Sequence, residues 1–144
     1  MYYKVTFRTN KNLLFSLIAT DKWRLVYGNA TELFEVTPIL NSGIFAFDNL
    51  KAAFNYTAVY PLTPTTIVMG EGTVHPVNDL FTRVTDPYIW EDCAGDLNCF
   101  KRIMRYITDR GHSTLPEHTV LLKEFRGIRR LSFDEINLAL QEEN

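Results

Sequence analysis

Apolar and polar residues alternate over the first segment of the chain. Tyr3, Val5 and Phe7 fall on one face of an extended segment, and Lys4, Thr6 and Arg8 fall on the other. That period of two predicts a half-buried strand over Tyr2 to Arg8. Asn10-Lys11-Asn12 is turn chemistry, and the more continuous apolar run from Leu13 to Ala19 reads as a buried strand. In the next segment Trp23, Leu25 and Tyr27 share a face. Gly28-Asn29 closes a turn before Thr31 to Val36, and Gly43 to Phe47 is a further short strand.

At Asp48 the period changes. Leu50, Ala53, Phe54 and Thr57 lie at helical spacing behind a capping aspartate, which predicts a helix over 49–56. Pro61 and Pro64 bracket a loop before a strand at Thr65 to Met69. Gly70-Glu71-Gly72 reads as a flexible turn and lacks the Gly-Lys-Ser/Thr ending of a phosphate loop. Phe81 to Val84 predicts one more short strand. Leu97, Phe100, Ile103, Met104 and Ile107 then form an amphipathic stripe, a helix over about 97–109. His118 to Phe125 reads as a strand. Ser132 and Glu135 form a capping box that opens a helix over about 133–142 with Ile136, Leu138, Ala139 and Leu140. The expected class is α+β, a mainly antiparallel sheet packed by two or three helices, in one domain over 1–144.

Composition narrows the function classes. A formal charge of −2 argues against a strongly basic nucleic-acid binder, but the charge is unevenly spread. Residues 101–130 hold eight basic residues against three acids, and residues 71–96 hold six acids against Arg83 alone. The expectation is that the two stretches pair, with nucleic-acid binding through 101–130 as an alternative. Cys93 and Cys99 are too few for a disulfide framework and match no common zinc spacing. The opening MYYKVTFRTNK has no long apolar run, and no stretch approaches the ~20 residues that span a bilayer. A cytoplasmic protein with reduced thiols is expected, with no membrane partner.

No catalytic constellation stands out. His112 and His118 are separated by Pro116 and lack the spacing of a helical metal pair, and no Gly-x-Ser-x-Gly elbow exists. Neither a cofactor nor a metal is expected. Two segments carry binding chemistry. Trp90 and Asp92, in Pro87 to Cys93, could stack a ring and accept its hydroxyl hydrogen bonds. Arg126, Arg129 and Arg130, around Gly127, supply the forked donors that recognise phosphate. These five residues are the candidate ligand-binding set.

Tyr3 to Val5, the WRLVYG turn (Trp23 to Gly28) and GIFAFDNLKAAFNY (Gly43 to Tyr56) resemble a loose set of small α+β proteins of phages, large DNA viruses and some microbes, over about residues 1–60. The resemblance carries no known activity and transfers no catalytic residue; a viral or phage-borne protein would act in a host cytoplasm. The layout is also similar to ADP-ribosyltransferase-like domains, which would give Arg8 a dinucleotide-holding role. The later Ser-Thr-Ser and Glu-x-Glu motifs of that group have no counterpart here. The expected function is therefore a small non-enzymatic accessory or binding protein that takes a protein or a small ligand. The alternative is a nucleotide-binding or nucleotide-handling enzyme.

Overall fold

A computed structural model of the chain describes residues 1–17, 24–38, 43–76, 78, 96, 98–99, 101 and 115–142. Its strands are β1 (Tyr2–Arg8), β2 (Leu14–Ser16), β3 (Val26–Gly28), β4 (Glu35–Val36), β5 (Ile44–Phe47), β6 (Thr65–Val74) and β7 (Thr119–Leu131). The helices are α1 (Leu50–Thr57) and α2 (Phe133–Glu142). All seven strands join one antiparallel sheet, so the fold is α+β as the pattern predicts.

The sheet closes on itself. β6 lies between β1 and β7, and β5 pairs with both β1 and β7, so these four strands form a small barrel. A wider circuit runs from β1 through β2 and β3, across the Gly28–Leu33 bridge, and back to β7 through β4. Closure requires strong bending, and β7 supplies it with two bulges. Met69 pairs with Arg129 while Gly70 pairs with Gly127, so Ile128 is an extra residue; Lys123 is the second, between the Thr73–Glu124 and Val74–Leu122 pairs. Each bulge bends the strand and raises its twist.

Two cores follow from closure. Leu14, Tyr27, Ile44, Val68, Leu122 and Phe125 fill the barrel, where Tyr27 meets Phe125 edge-on at 6.0 Å between centroids. On the outer face, Val5, Phe47 and Ile67 pack against Leu50 and Ala53 of α1 and Ile136 of α2. β1 thus contributes Tyr3 and Val5 to the helix layer, as its alternation predicts. Its polar face, however, turns inward at Lys4 and Thr6, and is exposed only at Arg8. Lys4 and Thr6 sit opposite Val68 and Thr66 on the barrel side. Thr6 is fully buried and donates its hydroxyl to the Thr66 carbonyl at 2.7 Å. The Lys4 ammonium donates to the Phe45 carbonyl at 2.6 Å and lies 5.5 Å from the Tyr27 ring centroid.

Other expectations shift with the same closure. Gly70-Glu71-Gly72 is not a turn but the middle of the ten-residue β6. A Cβ on Gly70 would lie 2.3 Å from the Arg126 carbonyl oxygen and 2.6 Å from the Phe125 ring, so glycine here admits a neighbouring strand and an aromatic side chain. The strand expected at His118 to Phe125 runs on to Leu131, and places the arginine cluster inside the sheet. Of the strand expected at Thr31 to Val36, only Glu35–Val36 is extended as β4. Asn49, not Asp48, caps α1: its side chain accepts the Ala52 N–H at 2.9 Å. Ser132 caps α2 by accepting the Glu135 N–H, but the Glu135 carboxylate pairs with Arg129 instead of completing the box. Leu138 points outward. In the helix expected over 97–109, Asn98, Cys99 and Lys101 are helical and Asp96 accepts the Asn98 and Cys99 N–H groups. The rest of that helix and the strand at Phe81 to Val84 lie outside the described residues.

Candidate ligand-binding site

The three strand arginines of the sequence reading do not act together. Opposite residues of an antiparallel pair share a face. Arg126 pairs with Glu71 and Arg129 with Met69, while Gly127 pairs with Gly70 and Arg130 with Val68. Val68 faces the barrel, and so Arg130 is on the inner face and Arg126 and Arg129 are on the outer one. Without the extra Ile128, Arg126 and Arg130 would share a face and Arg129 would oppose them. The bulge is what separates them.

The outer pair is occupied. Arg126 donates to the Glu71 carboxylate, which ties one residue of the basic stretch to the acidic one, and Arg129 meets Glu135 at 2.8 Å. Both pairs are largely exposed, a setting in which an ion pair contributes below about 1 kcal/mol. Arg130 donates only to the Glu32 carbonyl, at a long 3.4 Å, and meets no carboxylate among the described residues.

Arg130 shares its setting with Arg8, which follows Lys4 and Thr6 along the barrel side of β1 and pairs with Leu14 of the inner core. Arg8 donates its backbone N–H to Pro64 and makes no side-chain hydrogen bond or ion pair among the described residues. Arg8 and Arg130 both line one cavity of about 550 Å3 at the end of the barrel, and Arg130 also borders a groove beside Glu32, to whose carbonyl its guanidinium donates. Thr57, Thr65, Thr66 and Ser132 add hydroxyls, and Phe54, Phe133 and Ile136 add apolar walls. Barrel mouths of this size hold small ligands, with a few polar groups fixing their orientation. Two adjacent cations beside an apolar wall suit a ligand that carries a negative group on a larger body.

A second groove, of about 570 Å3, runs along α1 and is lined by Lys51, Asn55, Tyr56, Glu117 and His118 among others. The His118 Nδ1 lies 3.0 Å from Asp48 Oδ1, and the Asp48 N–H donates to the His118 carbonyl, also at 3.0 Å. His118 has φ of 66°, in the left-handed region, as the third residue of the Pro116–Thr119 turn. This pair locks the start of β7 to the corner between β5 and α1.

The other two residues of the expected set, Trp90 and Asp92, lie outside the described residues, as does Trp23. Sequence reading missed Thr57, Thr65, Ser132 and Phe133, which are brought to the mouth by strand and helix ends. It offered Arg8 only through a resemblance. The one local signal was the position of Arg8, on the inward parity of Thr6 at the last residue of β1. Among the described residues there is no group of three or more His, Cys, Asp and Glu that could hold a metal ion. No helix among them is long and apolar enough to cross a membrane. Comparison with protein-family models, curated proteins and solved structures gives no match for this chain.

Proposed function

We propose that this chain is a small non-enzymatic binding protein that takes an anionic small ligand at the barrel mouth between Arg8 and Arg130. One observation carries the reading: two arginines from opposite sides of β6 line the same cavity, and neither meets a carboxylate among the described residues. A charge-assisted contact to a guanidinium is stronger than a neutral hydrogen bond, and two of them around one cavity favour a negative group there. The ion pairs of Arg126 and Arg129 favour this single-cavity reading over a nucleic-acid surface, because both cations are already opposed by acids.

The test is thermal unfolding at low salt with inorganic phosphate, sulfate and citrate, for the wild type, Arg8→Ala and Arg130→Ala. Ligand at ~100 Kd stabilises the folded state by about 2.7 kcal/mol, which appears as a rise in Tm. The expected result is a rise for the wild type that both variants lose. A wild type that none of the anions stabilises refutes the reading.

A further inference from the structure

We infer that the ligand of the barrel mouth is a nucleoside monophosphate, an inference that rests on the binding reading above. The cavity presents three kinds of surface, and each matches one part of such a molecule. The two arginines in its lining, Arg8 and Arg130, suit the phosphate, whose oxygens accept forked guanidinium donors in pairs.

The aromatic walls come next. Phe54 reaches the cavity from α1 and Phe133 from the first residue of α2. Phe133 is 65% exposed, although it starts a helix that packs its next turn into the core through Ile136. Among the described residues neither ring is in contact with another ring. Phe54 packs partly against the helix-layer core, whereas Phe133, left open at the cavity, is a stacking platform to which every base offers a flat face.

The hydroxyls decide between a base with its sugar and a plain acyl chain. The Thr57 hydroxyl donates to the Phe54 carbonyl and the Ser132 hydroxyl accepts the Glu135 N–H, so Thr57 keeps its acceptor lone pairs and Ser132 keeps its donor for a ligand. The Thr65 hydroxyl makes no hydrogen bond among the described residues. An alkyl chain in the same space would cover these groups without satisfying them, which is costly. A ribose supplies the matching donors and acceptors. The volume of about 550 Å3 lies within the range of pockets that hold ligands of this size.

The experiment is isothermal titration calorimetry at low salt with AMP, GMP, CMP, UMP, inorganic phosphate and decyl phosphate. It uses the full chain as wild type, Phe133→Ala and Arg8→Ala, each with its circular dichroism spectrum checked. At least one nucleoside monophosphate is expected to bind on the order of tenfold or more tightly than inorganic phosphate. Phe133→Ala is expected to remove that advantage and leave the phosphate affinity in place, and Arg8→Ala to weaken both. If phosphate binds and Arg8→Ala abolishes it, but no nucleotide does better or decyl phosphate does best, the nucleotide inference is overturned and the barrel-mouth reading survives. If no anion binds, or Arg8→Ala changes nothing, both fall.

Discussion

Replacing Thr6 by aspartate tests whether the sheet closes on the polar face of β1. The side chain is fully buried and hydrogen-bonded to the Thr66 carbonyl. Asp is close to Thr in size, so the change adds charge more than bulk. Complete burial raises a carboxyl pKa by roughly 3–5 units, a penalty of about 4–7 kcal/mol once the pH exceeds the raised pKa. Lys4 lies two residues away on the same face, about 7 Å by strand geometry. At an effective dielectric of about 20 its attraction returns about 2 kcal/mol. Loss of the Thr6 hydrogen bond adds about 1 kcal/mol. At pH 7 protonation of the buried carboxyl caps the charge penalty at about 4 kcal/mol, so the net destabilisation of Thr6→Asp is about 3–5 kcal/mol, a large share of a total that for domains is about 5–15 kcal/mol. The sign with pH follows from the raised pKa: the penalty is full above the folded-state pKa and shrinks as pH falls towards about 4, by about 1.4 kcal/mol per unit. Urea unfolding followed by circular dichroism at pH 7 and pH 5 measures both effects. A loss within about 0.5 kcal/mol at both pH values is what a solvent-facing residue gives, and would refute barrel closure over this face.

Further outcomes are checked in the same assay. Gly70→Ala drives a Cβ to 2.3 Å from the Arg126 carbonyl oxygen, and is expected to cost about 2–3 kcal/mol by overpacking; an unchanged midpoint contradicts the close β6–β7 approach. Phe125→Ala empties the centre of the barrel and is expected to cost about 3–5 kcal/mol, where a loss below 1 kcal/mol would place the ring at the surface. Asn49→Ala is expected to cost about 1 kcal/mol through the α1 cap while Asp48→Ala costs less, and the reverse order would reassign the cap. His118→Gly relieves a left-handed non-glycine residue and removes an exposed pair, two effects of about 1 kcal/mol each and opposite sign. Stability within about 1 kcal/mol of wild type is expected, and a loss above 2 kcal/mol would show that the Asp48 contact dominates.

What was legible in the sequence is what local period controls. The strand at Tyr2 to Arg8 follows from alternation, the helix after Ser132 from its cap and stripe, and α1 from its stripe, although its cap falls on Asn49 and not on Asp48. What was hidden depends on closure. Polar residues at Lys4 and Thr6 imply a wet face only while the sheet is open; once it closes, backbone carbonyls satisfy them and the face becomes interior. Gly70-Glu71-Gly72 carries turn composition, yet the glycines accommodate the Phe125 ring and the β7 backbone. The candidate site shows the same limit most clearly. Arg126, Arg129 and Arg130 look equivalent along the chain, and a single bulge at Ile128 turns only Arg130 towards the mouth. No spacing rule links it to Arg8, because their meeting depends on β6 lying between β1 and β7.

Arg8 and Arg130 meet as lining residues of one cavity at the end of the barrel. Amide chemical shifts of 15N-labelled protein, titrated with phosphate at low salt, report that meeting residue by residue. The largest shifts are expected at Arg8, Thr65, Arg130, Ser132 and Phe133, from strands and helices remote in sequence. Shifts confined to the Glu71–Arg126 face or to the groove at His118, or no shifts at all, would contradict it.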